Sequence, residues 1–228
     1  MLYCSISVDI SELLRALSVH GVQRMLVNTL SQVCSILTGF TARGRLEPAL
    51  HDGVLVLQLR DITPDGTITS EGLTRIQFDD VPDRYLVRAG DVVFRSRGDR
   101  NTAAFVSESI TEPALVVLPL MILRPNTQML SGAYLAWAIN QEPAQRHFEV
   151  AAQGTGLRMV SRASLAELKI PIPDFDTQRR ILQVSALAER EQELTQQLTL
   201  KRHELIHRVL IERAQGHTSI NGNERMPK

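Results

Sequence analysis

Cysteine and long hydrophobic runs are scarce in this chain of 228 residues. The two cysteines, Cys4 and Cys34, form no C-x-x-C pair, so the chain can build neither a disulfide framework nor a four-thiolate zinc site. The longest nearly apolar run, residues 114–123, is interrupted by Pro119. This run is about half of the roughly 20 residues that a membrane-spanning helix needs. The sequence therefore predicts no membrane segment.

The N-terminus also lacks the positive charge of a signal peptide. Asp9 and Glu12 stand where a signal peptide is basic, and the apolar stretches around them are short and broken. We therefore expect a cytoplasmic protein. Apolar residues make up 43% of the chain and charged residues 22%, which is typical of a folded protein rather than a disordered or collagen-like one.

Lysine is scarce as well, and 22 of the 25 basic residues are arginines. The formal net charge is zero, which argues against a protein that coats nucleic acid indiscriminately. The charge is nevertheless segregated, because residues 61–83 hold six acids against one arginine and residues 84–100 hold five arginines against two acids. An arginine-rich face suits bidentate recognition of phosphate or of guanine edges. A GC-rich coding sequence is the alternative explanation of the arginine excess.

Short β-prone runs dominate the middle of the chain. Turn residues separate them, as in Pro-Asp-Gly at 64–66 and Ala-Gly-Asp at 89–91. This texture predicts a twisted, mostly antiparallel sheet. The runs are residues 54–60, 67–69, 73–78, 85–87, 92–96, 103–107 and 114–124.

Helical patterns lie on both sides of these strands, so the sequence predicts an α+β fold with helices packed on the sheet. The predicted helices are an amphipathic segment at 9–26, a nearly all-apolar one at 131–141, one that begins near Pro143, and a short one capped by Ser161 or Ser164. Residues 1–27 are expected to form an N-terminal extension. Residues 28–175 are expected to form the globular domain, ending in the strand-like Lys-Ile-Pro-Ile-Pro at 169–173.

A long helix is predicted after the globular domain. Asp176 is a suitable N-cap for residues 177–215, which contain no glycine or proline and would span about 58 Å. Its apolar residues follow a heptad pattern and would be left uncovered in a single chain, so we expect antiparallel dimerisation with the same helix of a second copy. The tail at 216–228 is expected to be disordered. The dimerisation residues are Val184, Leu187, Leu194, Leu198 and Leu205.

Four motifs occur in a fixed order along residues 28 to about 212. They are LSQVCSILTG at 30–39, AGDVVF at 89–94, GTG at 154–156, and LAELKIPIP at 165–173 followed by QRRI at 178–181 and the long helix. No single motif is diagnostic, but their order and spacing resemble the DNA-specificity subunit of type I restriction-modification systems. The resemblance is to one half of such a subunit, because a full-length subunit has two target recognition domains and two conserved helices.

This resemblance implies a function without catalysis. Residues 28–175 would be the target recognition domain, and the long helix would pair two copies into a platform that recognises a symmetric, bipartite target in double-stranded DNA. The platform would hold methyltransferase subunits, and through them restriction subunits, over that target. It implies no cofactor and no catalytic residue. An inactive orphan fragment of a specificity subunit is the alternative within the same family.

The candidate DNA contacts are basic and polar side chains in three loops. One loop follows the strand residues 92–94, one surrounds Gly44, and one contains the glycines at 154 and 156. The competing interpretations are that the arginines are only solvated and that the glycines only permit a tight turn. The candidates are Arg43, Arg45, Arg95, Arg97, Arg100, Gln153, Thr155 and Arg158.

A zinc-dependent hydrolase is the alternative from a different functional class. His203, Glu204 and His207 form an H-E-x-x-H pattern, which puts two imidazoles one helical turn apart. A catalytic zinc also needs a third protein ligand, but Arg213 stands where the third histidine of one zinc-peptidase class would be, and Glu224 lies in the tail. We therefore expect a chance occurrence on a pairing helix and no metal site.

Overall fold

The computed structural model describes residues 26–42, 48–49, 53–69, 73–78, 81–98, 100–152 and 159–215. Within these residues no helix combines the length and apolar character needed to cross a membrane. The predicted helix at 9–26 lies almost wholly outside the described residues.

Ten strands and five helices form the described fold. The strands are β1 (Leu26–Thr29), β2 (Cys34–Thr38), β3 (Val54–Leu57), β4 (Thr74–Ile76), β5 (Leu86–Val87), β6 (Val92–Arg95), β7 (Ala103–Phe105), β8 (Ala114–Val116), β9 (Leu120–Pro125) and β10 (Lys169–Ile172). The helices are α1 (Leu30–Val33), α2 (Gly132–Asn140), α3 (Glu142–Ala152), α4 (Arg162–Ala166) and α5 (Phe175–Ala214). The predicted α+β class is confirmed.

The strands form three sheets rather than one. The first four-stranded sheet has the order β2-β9-β6-β7 and is antiparallel throughout. The second has the order β4-β3-β8-β5, in which β3 and β8 run parallel. β1 and β10 form an antiparallel pair. Six of the seven pairings between described strands are antiparallel, which confirms the prediction of mostly antiparallel strands. The prediction that they form one sheet was wrong.

The predicted strand at 114–124 divides because its two halves serve different sheets. β8 pairs with β3 and β5 in the second sheet, whereas β9 pairs with β2 and β6 in the first. Residues 117–119 form the turn between them. An apolar run buried on both sides carries no alternation that would mark such a break.

The first sheet is buried on both faces. Val92 and Phe94 of β6 face the helices, and Val93 between them faces the second sheet. The same alternation places Leu123 with the helices and Ile122 with the second sheet. The sheet is therefore the central layer, and its ends rather than its faces are left for other contacts.

The two-stranded sheet ties the N-terminal part of the described chain to its C-terminal part. Leu26 pairs with Ile172 and Val27 with Pro171. The Tyr134 hydroxyl of α2 donates to the Pro171 carbonyl at 2.8 Å, so α2 packs beside this sheet. Residues 26 and 27, which were predicted to belong to an N-terminal extension, thus lie in β1.

Helix α5 begins two residues earlier than predicted, with Asp174 as its N-cap instead of Asp176. The Asp174 carboxylate accepts from the Thr177 backbone N–H at 2.8 Å and from its hydroxyl at 3.1 Å. The first turns pack on the globular domain through Ile181 and Leu182. From residue 186 to 215 every side chain is exposed, so the helix projects away from the domain.

Candidate nucleic-acid interface

The hairpin loop between β6 and β7 carries three of the predicted DNA contacts. Arg95 ends β6 and pairs with Leu120, the first residue of β9. Its backbone N–H donates to the Thr102 carbonyl at 2.7 Å, which closes the loop over residues 96–102. Thr38, the last residue of β2, pairs with Met121, so β2 ends at this same end of the sheet.

Two other segments pack against this loop. The Ser96 hydroxyl donates a hydrogen bond to the Pro119 carbonyl in the turn between β8 and β9. The Val160 N–H donates to the Ser96 carbonyl at 2.9 Å, and Arg97 forms an antiparallel bridge with Met159. We call the described residues of these three segments, 96–98 with 100–102, 117–119 and 159–160, the arginine edge.

The three arginines of the loop have different surroundings. Arg95 is half-buried, and its Nη1 donates to the Ile62 carbonyl at 3.3 Å. Gly98 lies over its guanidinium at a φ of 135°, and a Cβ at that position would be 3.2 Å from the Arg95 Nη2. Arg97 is exposed and forms no ion pair with the residues that the structure describes. Arg100 is exposed and donates to the Asn140 carbonyl at 3.3 Å.

Helices α2 and α3 fix the loop from behind. The Asn140 side chain donates to the Ala103 carbonyl and accepts from the Ala103 N–H, both at 2.8 Å, in the manner of a neighbouring strand. The Gln145 amide donates to the Asn101 carbonyl at 2.8 Å, and the Asn101 amide donates to the Arg95 carbonyl at 3.2 Å. The backbone that carries Arg97 and Arg100 is therefore held at both ends.

The other arginines of the basic stretch, and Arg124, are engaged within the protein at the opposite end of β6. The Arg84 guanidinium lies 4.8 Å from the Tyr85 ring centroid, and Arg88 forms a 3.4 Å ion pair with Asp83. Arg124 donates to the Leu86 carbonyl at 2.6 Å and pairs with Asp91 at 3.5 Å. Of the five arginines at 84–100, Arg97 and Arg100 are thus the ones that the fold presents at the arginine edge.

The remaining predicted contacts lie outside the described residues. These are Arg43, Arg45, Gln153, Thr155 and Arg158, and they stay predictions. Described residues close to these two segments contact the arginine edge. The Leu118 N–H donates to the Phe40 carbonyl at 3.1 Å, and Met159 pairs with Arg97.

Two exposed apolar side chains at the arginine edge escaped the sequence analysis. Leu118 lies in the turn between β8 and β9, and Met159 lies opposite Arg97. Leu118 was hidden inside the apolar run that looked like one strand. Met159 follows the glycine loop and belongs to no periodic pattern.

The heptad stripe of α5 is uncovered in the single chain. Leu194 is 49% exposed and Leu205 is 60% exposed, although both are large apolar side chains. Leu187 and Leu198 are exposed as well, and Val184, closer to the domain, is half-buried. A second group of exposed apolar side chains, Leu200, Leu210 and Ile211, lies on roughly the opposite face of the helix.

The H-E-x-x-H pattern lies on this exposed part of α5. Glu204 accepts from Lys201 at 2.9 Å, and this hydrogen bond is the main reason that the pKa of the Glu204 carboxyl is lowered. His203 and His207 are exposed. Within the described part of the chain, no three or more histidine, cysteine or carboxylate side chains are grouped to hold a metal ion. Glu224 lies outside the described residues.

Sequence comparison gives no relative, because no family model and no curated protein matches the chain. Comparison of structures gives several. The HsdS subunit from Thermoanaerobacter tengcongensis matches with a TM-score of 0.52 at 20% identity, over 85% of this chain and 45% of that subunit. A chain from a structural study of complex assembly and conformational transition in the type I restriction-modification system matches with the same TM-score and identity, over 90% of this chain and 48% of the other.

The chain therefore spans about half the length of the solved structures that it matches. The similarity extends through the globular domain and into the long helix, because it covers 85–90% of the chain. The predicted resemblance is thereby confirmed at the level of the fold: this chain has the architecture of one half of a type I specificity subunit.

Proposed function

We propose that the chain is a sequence-specific DNA-binding half-subunit of a type I restriction-modification system. Two copies pair through α5 and recognise a symmetric, bipartite target in double-stranded DNA. The observation that carries this proposal is the fold match, which covers nearly all of this chain and 45–48% of HsdS-type chains.

The arginine edge supports DNA binding by the globular domain. Arg97 and Arg100 project from a loop whose backbone is fixed by Asn140 and Gln145. A fixed backbone lowers the entropy cost of presenting a long side chain to a base edge or a phosphate. Arg95, which donates to Ile62, is assigned the role of holding this loop in place.

The uncovered stripe on α5 supports pairing of two copies. A solvent-exposed row of leucines along a helix of 40 residues is unfavourable, and burial of each leucine against a partner is worth about 1.5–3 kcal/mol. An antiparallel, isologous pairing buries the same stripe on both copies and puts the two domains at opposite ends of a spacer of about 60 Å. Such a spacer fixes the separation of two half-sites on DNA.

The second apolar face of α5 supports a further partner. Pairing of two helices along the heptad stripe leaves Leu200, Leu210 and Ile211 uncovered, since they lie on roughly the opposite face. We assign this face to the methyltransferase subunit, which would in turn carry the restriction subunit. The half-subunit itself performs no chemistry in this scheme, and it requires no cofactor.

The experiment that tests the proposal is co-expression with a methyltransferase subunit, followed by sequencing that maps methylated adenines. The expected result is a stable complex and methylation at one bipartite sequence whose two halves are related by twofold symmetry. Omission of the chain must abolish this methylation. A chain that dimerises but neither binds the methyltransferase nor prefers any DNA sequence would instead be an orphan fragment.

A further inference from the structure

The arginine edge exposes apolar side chains next to its arginines. Leu118 is 47% exposed and Met159 is 52% exposed, although the layers behind them bury nearly all other large apolar residues of the first sheet. An exposed apolar side chain on its own needs no explanation, but two on one functional edge point to a ligand.

The backbone brings these side chains to one edge. Ser96 is hydrogen-bonded both to Pro119 and to Val160, so the loop of Arg97 contacts the turn of Leu118 and the segment of Met159. Arg97 and Met159 are direct antiparallel partners. Side chains of direct partners project to the same face, with Cα atoms about 5 Å apart. That separation corresponds to between one and two base-pair steps of roughly 3.4 Å.

Backbone hydrogen bonds also hold the turn that contains Leu118. Its own N–H donates to the Phe40 carbonyl at 3.1 Å, and the following Pro119 carbonyl accepts from the Ser96 hydroxyl. With its backbone held on two sides, Leu118 is presented outward by the fold and does not depend on a mobile loop.

The chemistry of the DNA major groove matches this combination of side chains. Arginine forms a bidentate contact with the O6 and N7 atoms of guanine, and thymine is the base that presents a methyl group in the major groove. A leucine and a thioether beside an arginine match methyl groups beside a guanine. The exposed positive charge of Arg97 and Arg100 favours this polyanionic ligand over an apolar protein partner.

We propose that Leu118 and Met159 contact thymine 5-methyl groups next to a guanine that Arg97 recognises, so that each half-site contains thymine beside guanine. This inference rests on the proposed function and adds specificity residues to it. Loss of one buried methyl group corresponds to about fourfold weaker binding.

The test begins with the unaltered chain and a duplex selected from a random pool. Each thymine is replaced in turn by deoxyuridine, which lacks the methyl group and leaves the protein unchanged. We expect binding to weaken about fourfold at thymines next to one guanine and to stay unchanged elsewhere. Leu118→Ala is then expected to remove the effect at one thymine, and Met159→Ala at the other.

Val27→Ala is the matched control. Val27 is 58% exposed on β1 and pairs with Pro171, away from the arginine edge, so its truncation should leave every deoxyuridine effect in place. Sequence-specific binding that is insensitive to deoxyuridine at every position overturns the inference and keeps the proposed function. Deoxyuridine effects that persist in both Leu118→Ala and Met159→Ala also overturn it. Binding without any sequence preference overturns the proposed function itself.

Discussion

Gln178 joins the base of the long helix to the globular domain. It is 1% exposed, and its amide donates to the carbonyls of Met129 and Pro173 at 3.0 and 2.9 Å. Its side-chain oxygen accepts from the Ser131 N–H at 3.0 Å, next to the N-terminus of α2. One side chain thus satisfies three backbone groups, two in the segment before α2 and one in the segment before α5, and ties the base of α5 to the domain.

Replacement of Gln178 by alanine is therefore expected to destabilise the protein. The change leaves buried backbone groups without partners, and each such group costs about 1–3 kcal/mol. We expect Gln178→Ala to lower the free energy of unfolding by about 2–4 kcal/mol in urea titrations followed by circular dichroism. Gln197→Ala, on the exposed part of the same helix, should change it by less than about 0.5 kcal/mol. Equal effects of the two variants would show that Gln178 is not a structural anchor.

Cys34 predicts how stability depends on alkaline pH. Burial raises the pKa of its thiol from 9.0 to about 12, and the negative charge of Asp91 adds to the increase. In the unfolded chain the thiol ionises near pH 9, whereas in the folded protein it stays protonated until the pH approaches 12. The contribution of this thiol to stability is therefore fully present below about pH 9 and is lost as the pH rises toward 12. Urea titrations at pH 7, 9 and 10.5 should show this decline, and the decline should be smaller in Cys34→Ala.

The arginines of the edge should separate into phosphate and base contacts by their salt dependence. Loss of a phosphate contact lowers the slope of log affinity against log salt by about 0.9, whereas loss of a base contact costs 1–3 kcal/mol of discrimination. We expect Arg97→Gln to reduce the preference for the selected sequence and Arg100→Gln mainly to reduce the slope. Arg84→Gln, which removes an exposed arginine stacked on Tyr85, is the matched control and should leave both quantities unchanged.

Single side chains show why the sequence predicts only part of the candidate site. The basic stretch pointed to Arg95, Arg97 and Arg100, of which Arg97 and Arg100 are exposed at one loop. It gave no means to distinguish Arg95, because that residue is half-buried through a contact with Ile62, which lies 33 positions away in the chain. Leu118 could not be predicted to be exposed, because its exposure depends on the turn at which one apolar run divides between two sheets.

Among the elements, α5 is the one whose packing is incomplete. Its helix is supported locally by three ion pairs at i,i+3 spacing, such as Arg190 to Glu193 at 2.8 Å, but its heptad leucines have no partner among the described residues. Exposed ion pairs of this kind contribute little stability because solvent screens them. Tertiary or quaternary burial must therefore supply most of the stability of the projecting part.

Charge introduced into this stripe is expected to dissociate the pair. Leu194→Glu or Leu198→Glu should raise the dimer dissociation constant at least tenfold, because each copy would bury a carboxylate where a leucine was covered. Sedimentation equilibrium over a range of concentrations measures this constant. Gln196→Glu introduces the same charge on roughly the opposite face and should leave it nearly unchanged. A wild-type chain that stays monomeric at all concentrations would contradict the proposed pairing.

Helix ends and strand breaks were the least predictable features at this scale. Asp174 and Asp176 are both good N-cap residues, and only the contact of Asp174 with Thr177 decides between them. Proline at 171 and 173 did correctly mark the segment before the helix as strand, and β10 ends at Ile172. The periodic elements, such as α2 and the long helix, were predicted to within a few residues, because their patterns are long.

The proposed dimer connects two DNA-binding domains through a spacer whose length is that of α5. The arginine edge lies on the globular domain and the dimerisation stripe on α5, so neither surface obstructs the other. In an antiparallel pair the distance between the two domains increases with the length of the helix. The length of α5 then determines the spacing of the two half-sites in DNA, whereas the arginine edge determines which bases each half-site contains. The two properties should change independently.

Deletion of seven residues from α5 tests this separation. Removal of residues 195–201 keeps the heptad phase, because seven residues are close to two helical turns, and shortens the spacer by about 10 Å. We expect the DNA selected from a random pool to contain the same half-site bases at a changed spacing, because the two domains move about 10 Å closer while their relative rotation stays nearly the same. Deletion of five residues, 195–199, rotates the rest of the stripe by roughly 140° and should abolish pairing and bipartite selection while half-site binding persists. Unchanged spacing after the seven-residue deletion would mean that the helix does not set the distance between the two domains.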